Sequence, residues 1–235
     1  MAGILILSIE TATGCGSVAL TRGGTCEGRL LAEATAQPEV THSRRLLGSV
    51  DWVMQAAAVT WADVSGVAIS LGPGSFTGLR IGMAAAKGIV FSTGLPLVGV
   101  CALDGVALCC PVIDRPLWCL LDARKQEVYA ACYLPGLEGR PVRSGEVLAI
   151  RPELLLEQMR EPVLVAGPGV DEYLDLFTGL GNVQCITAAL SSPGAGRIGF
   201  LAADLMAQGR TLDPAAAVPF YVRRSEAEIN AQLQR

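Results

Sequence analysis

The sequence predicts an α/β fold in which one unit is used twice. Two observations carry that expectation. The order three strands, helix, strand, helix runs from residue 4 to about residue 92 and recurs from residue 117 to residue 177. In each half an apolar strand also runs into the same turn and then a helix. Val67–Leu71 precedes Gly72-Pro73-Gly74, and Val163–Ala166 precedes Gly167-Pro168-Gly169. Proline fixes φ and lacks an N–H, so neither run continues as a strand. The lobes are expected at 1–103 and 104–235, with the last helix packed back on the first lobe as the alternative for that element.

Each element has its own signal. Ile4–Ile9 is an aliphatic strand, Glu10–Gly16 a turn of small polar residues, and Ser17–Thr21 a second strand. Arg22-Gly23-Gly24 marks a hairpin and Arg29–Ala34 a third strand. Between His42 and Ala58, the residues Leu46, Leu47, Val50, Val53, Met54 and Ala57 fall on one helical face. A helix from Gly78 to about Ser92 carries Leu79, Gly82, Ala86 and Ile89 on one stripe, with Ser75 and Thr77 as N-cap types. Leu95–Val100 is a strand and Leu103–Leu108 a short helix. The second half reads as strands 117–122, 127–133 and 145–150, a helix over 152–159 with proline in its first turn, strand 163–166 and a helix over 171–177. A helix over 195–208 closes the pattern.

Composition limits the function classes. With 51% hydrophobic and 17% charged residues, the chain is apolar enough to reserve surface for a partner. No apolar run approaches the roughly 18 residues of a membrane helix. Met1–Leu7 lacks a basic region and reads as a strand, so the expected location is cytoplasmic. The net charge of −4 and the scattered basic residues supply no electrostatic footprint for gripping nucleic acid unaided. The cysteines number eight, but no Cys-x-x-Cys occurs and His42 is the only histidine, so no metal-ligand set is expected. In an intracellular chain these cysteines act as small hydrophobes.

Several residues invite chemistry. The loop Gly72-x-Gly74-x-x-x-Gly78 opens a helix, where backbone amides favour an anion. Gly74, Ser75 and Thr77 are the candidates for such a contact. The spacing matches neither the dinucleotide fingerprint nor a P-loop, and the glycines equally suit a tight turn and close helix packing. Glu10, at the end of the first strand, is either a functional carboxylate or a turn residue. Arg80 and Lys87 could meet an anion, an interface or solvent. His42 reads as a polar residue near a helix start. Ser75, Thr77 and Cys15 have no evident partner base for nucleophilic chemistry. The two amphipathic helices have a core reading and a sharper one. In the sharper reading Leu46, Leu47, Val50, Val53, Met54, Leu79, Gly82, Ala86 and Ile89 meet another subunit.

Gly72-Pro-Gly-Ser-Phe-Thr-Gly-Leu-Arg-Ile-Gly82 resembles the signature of the bacterial TsaB family. Ile9-Glu-Thr-Ala-Thr13 with Ser17-Val-Ala-Leu20, Asp122-Ala-Arg124 with Glu127-Val-Tyr129, and Pro219 to Arg223 agree with it in order. Glu10 stands where many relatives carry Asp, and Lys125 where Met is common. The resemblance implies an actin/Hsp70/sugar-kinase-like (ASKHA) fold of two ribonuclease-H-like lobes. It implies a scaffold without catalytic residues, metal or cofactor of its own, in the complex that makes threonylcarbamoyladenosine beside the tRNA anticodon. The implied partners are the catalytic subunit TsaD, bound as a heterodimer through the helices at 42–58 and 78–92, and TsaE and a TsaC-type enzyme in the pathway. A second copy of the chain would take that place when TsaD is absent. ATP and magnesium would belong to the partner subunits, and tRNA would be met only through the complex. The alternatives are a small-molecule kinase of the same superfold and a glycoprotease-like peptidase.

Overall fold

The computed structural model describes residues 3–13, 15–36 and 42–222, with side chains from Leu46 onward in the helix that begins at His42. Gly14 of the first turn, the His42 side chain and Arg223 lie outside the described residues. Two compact units emerge. The described residues within 1–105 and 193–219 form one; those within 106–192, with 220–222, form the other.

The first unit is built on β1 (Leu5–Glu10), β2 (Gly16–Arg22), β3 (Arg29–Ala36), α1 (His42–Ala56), β4 (Gly66–Gly72), α2 (Phe76–Thr93) and β5 (Leu97–Cys101), with α3 (Ala102–Ala107) at the crossing into the second unit. The strand order is β3-β2-β1-β4-β5. β2 pairs antiparallel with β1 and β3 antiparallel with β2, while β4 and β5 run parallel to β1. β1 is the central strand and is buried along its whole length. Alternation then assigns its two faces. Leu5, Leu7 and Ile9 join Val18, Leu20, Val67 and Ile69 under α1 and α2, and Ile6 joins Ala68, Val98 and Val100 on the other side.

The second unit repeats the plan. It comprises β6 (Leu117–Arg124), β7 (Glu127–Pro135), β8 (Pro141–Ile150), α4 (Pro152–Leu156), β9 (Val163–Ala166), α5 (Pro168–Glu172), α6 (Leu174–Phe177), β10 (Val183–Ile186) and α7 (Ala188–Ser191). Its sheet order is β10-β9-β6-β7-β8, with β7 and β8 antiparallel and β9 and β10 parallel additions. Strand for strand this is the first sheet again, so the fold is the duplicated ribonuclease-H-like pair expected of an ASKHA protein. One face of this sheet is sealed by Leu155, Met159, Val170 and Phe177.

The differences from the sequence reading are local. β10 was not anticipated; it is a four-residue edge strand that exists through its parallel pairing with β9. The helix expected over 171–177 is two short ones that meet at Tyr173. The last helix, α8 (Ala195–Ala207), belongs to the first unit, which is the alternative stated for that element and corrects the lobe boundary of 104–235. Its small face, Ala195, Gly199, Ala202 and Ala203, is buried against the face of the first sheet that α1 and α2 leave uncovered. At Gly199 a Cβ would overlap the Thr21 hydroxyl. Polar contacts hold the start of α8: the Ala195 N–H donates to Ser17 Oγ (2.9 Å), and Ser8 Oγ donates to the Ala195 carbonyl (2.6 Å).

Candidate functional site

The Gly-Pro-Gly loop and the turn after β1 form one structure. Gly72 and Gly74 have φ of 103° and 156°, a region closed to most side chains. The Ser75 N–H donates to the Ala12 carbonyl (2.7 Å), and Ser75 Oγ accepts from the Gly78 N–H (3.2 Å), capping α2. A Cβ on Gly74 would overlap the Ala12 carbonyl; on Gly78, the Thr11 carbonyl; on Gly82, the Thr11 hydroxyl. The glycine spacing therefore lets α2 lie directly on the β1–β2 turn. Of the three anion-loop candidates, Ser75 has its amide and hydroxyl engaged by the chain itself, Gly74 abuts the turn, and Thr77 is exposed in the first helical turn. The second Gly-Pro-Gly repeats the arrangement. Gly167 and Gly169 lie against the Leu120 backbone, and the Gly167 N–H donates to Ser191 Oγ (2.8 Å).

Glu10 is fully buried beneath this turn. Oε1 accepts from the amides of Ala12 (2.6 Å) and Thr13 (3.3 Å), and Oε2 lies 3.0 Å from Thr13 Oγ1. Burial, opposed by these hydrogen bonds and reinforced by the nearby Glu33 carboxylate, pushes its pKa up to about 7. Glu10 thus faces inward to its own turn. Among the described residues, no group of three or more His, Cys, Asp or Glu side chains is placed to hold a metal ion.

The helix faces require a correction. Apart from Leu47, every residue assigned to a partner contact is buried in the first unit: Leu46, Val50, Val53, Met54, Leu79, Gly82, Ala86 and Ile89 all face its sheet. An amphipathic helix buries its apolar stripe against the nearest sheet first, so that stripe was the core face. The outward faces carry a different set. Leu47 (56% exposed), Trp52 (53%) and Phe91 (66%) stand out from α1 and α2, and Phe76 stands at the start of α2 with the Arg80 guanidinium 3.9 Å over its ring. Gly48, Ala84 and Gly88 are exposed between them, and among the described residues a Cβ at Gly48 or Gly88 would meet nothing within 4 Å. Mid-helix glycine is unfavourable by about 0.5–1 kcal/mol relative to alanine, and among the described residues no neighbour approaches Gly48 or Gly88 closely enough to offset that. The signal was readable: large apolar residues on the polar side of the wheel. Lys87 donates from Nζ to the Ala215 carbonyl (3.3 Å) and so ties α2 to the segment after α8.

Comparison with known proteins gives a consistent result. The family model described as TsaD, tRNA N6-adenosine threonylcarbamoyltransferase, matches residues 30–167. The chain is 30% identical to the tRNA threonylcarbamoyladenosine biosynthesis protein TsaB of Escherichia coli, over 94% of this chain and 96% of that protein. It is 29% identical to TsaB of Bacillus subtilis, over 95% and 96%. The solved structure of YeaZ from Pseudomonas aeruginosa superimposes with a TM-score of 0.76 at 25% identity, covering 93% of this chain and all of that one. Among the described residues, no helix is long and apolar enough to cross a membrane.

Proposed function

The chain belongs to the TsaB family, and from that premise we propose that it is a non-catalytic subunit in the formation of threonylcarbamoyladenosine on tRNA, bound to a TsaD-type catalytic subunit. The observation that carries this reading is the outward face of α1 and α2, where Leu47, Trp52, Phe76 and Phe91 surround glycines open to close approach. Exposed apolar surface of this kind marks a binding face, and small residues let a partner helix come near. TsaE and a TsaC-type enzyme act in the same pathway, and a second copy of the chain occupies the face when the catalytic subunit is absent. ATP, magnesium and tRNA are handled by the partners, as a chain of net charge −4 has little to offer a phosphate backbone. The assembly works in the cytoplasm.

The test is the light-scattering mass of the chain alone and mixed with the TsaD of its own organism. A one-to-one complex is expected, and Gly88→Arg or Phe91→Asp should weaken it at least tenfold while leaving the far-ultraviolet circular dichroism unchanged. Gly82 and Ala86 are unsuited to this test because they are core residues. Absence of a complex under every nucleotide condition overturns the proposal. Magnesium-dependent ATP turnover by the isolated chain would favour the kinase alternative, and peptide hydrolysis the glycoprotease-like one.

A further inference from the structure

The hydrogen-bond inventory around Glu10 does not balance if its carboxyl is ionised. The Thr13 hydroxyl has one proton, yet two acceptors lie within reach of Oγ1: Glu10 Oε2 at 3.0 Å and the Cys15 carbonyl at 3.1 Å. With a carboxylate, one of those contacts is an oxygen facing an oxygen. With the neutral acid the chain closes. Oε2–H donates to Thr13 Oγ1, Thr13 donates to the Cys15 carbonyl, and Oε1 still accepts from the Ala12 and Thr13 amides.

We propose that Glu10 is held as the neutral acid in the folded chain, and that its proton clamps the β1–β2 turn in the shape on which helix α2 starts. The connection to α2 is direct. The Ala12 carbonyl of that turn receives the Ser75 N–H, and the Thr11 carbonyl lies against Gly78. The surroundings favour the proton. From β2 the residue opposite Glu10 is neutral Ser17. From β3 comes the Glu33 carboxylate, which among the described residues is the charged group whose field acts on Glu10 and which opposes a second negative charge. The neighbouring parallel strand β4 carries no charged residue. α8 brings Arg197 to the Gly194 position beside Glu33, and its Asp204 is bonded to Thr25. α2 directs Arg80 over Phe76 and Lys87 to Ala215. Losing the proton therefore breaks the Thr13 chain and loosens the seat of α2.

The experiment is a titration of the full chain labelled with carboxyl-13C glutamate, with the Glu10 resonance assigned by its loss in Glu10→Gln. A midpoint near neutrality is expected; a midpoint in the ordinary carboxylate range below about 5 overturns the proposal. Glu10→Gln preserves the neutral network, since its amide oxygen accepts from Ala12 and its NH2 donates to Thr13. Between pH 5 and pH 8 the wild-type Tm should fall by about 5 °C relative to this variant. A difference that does not change with pH overturns the assignment as well. Protection of the Ser75 amide, the intrinsic exchange rate at each pH divided by the observed one, should fall severalfold through the titration in the wild type and stay flat in Glu10→Gln. A Ser75 amide indifferent to the titration overturns the clamp.

Discussion

Single residues decide whether the loop after β4 contacts a ligand or the chain. The glycines at 74, 78 and 82 have no room for a Cβ because the β1–β2 turn occupies that space, whereas Gly88 on the same helix faces open space. The two positions should respond with opposite signs. Gly82→Leu forces the Thr11 side chain away and is expected to destabilise the fold by about 2–3 kcal/mol in urea unfolding. Gly88→Ala, with no steric conflict, is expected to stabilise the isolated chain by about 0.5–1 kcal/mol. Glu10 adds a pH dependence. Its folded pKa of about 7 lies above the ordinary 4.5, so between those values the unfolded chain releases a proton that the folded chain keeps. The stabilisation from this group is complete below pH 4.5 and lost as pH rises to about 7, amounting to roughly 3 kcal/mol at most.

At the scale of elements, α2 serves two surfaces at once. Its inner stripe of Leu79, Met83, Ala86, Ile89 and Val90 completes the core, and its outer stripe runs from Phe76 through Arg80 and Ala84 to Gly88 and Phe91. The cap at its start ties both to the β1–β2 turn, since Ser75 bonds to Gly78 through its side chain and to Ala12 through its amide. Ser75→Ala should cost about 1 kcal/mol, measured as a lower urea midpoint at unchanged slope. It should weaken partner binding less than Phe91→Asp, because it loosens the helix start and leaves the outer face chemically intact. Hydrophobic periodicity located both helices and left Trp52 and Phe91 off the apolar stripes, but it could not tell that Leu47, on the edge of one stripe, is left over once the sheet has been covered.

For the whole molecule, the first unit is discontinuous in sequence. Residues 106–192 form the second unit before the chain returns as α8 to cover Ile6, Ala68, Val98 and Val100. A fragment of residues 1–105 would leave that apolar face of the sheet in water. It is expected to aggregate or to unfold without a cooperative transition. Joining residues 193–219 to it through a flexible linker should restore a cooperative thermal transition. Equal behaviour of the two fragments would show that α8 is dispensable.

By itself the sequence determined the α/β class, the duplication, nearly every strand and the family, because period-two and helical patterning and Gly-Pro-Gly punctuation are local properties of the chain. The same local signals named Ser75 as a cap and singled out Glu10 at a turn. Only the tertiary structure chose between the core and the partner reading for Leu46, Val50, Val53, Met54, Leu79, Gly82, Ala86 and Ile89, seated the start of α2 on the β1–β2 turn, and selected, of the two placements open to the last helix, the one on the first sheet. Each of these is a choice among partners far apart in sequence. An apolar or small face carries no mark of which surface will cover it, and burial goes to whichever complementary face the completed topology brings within reach.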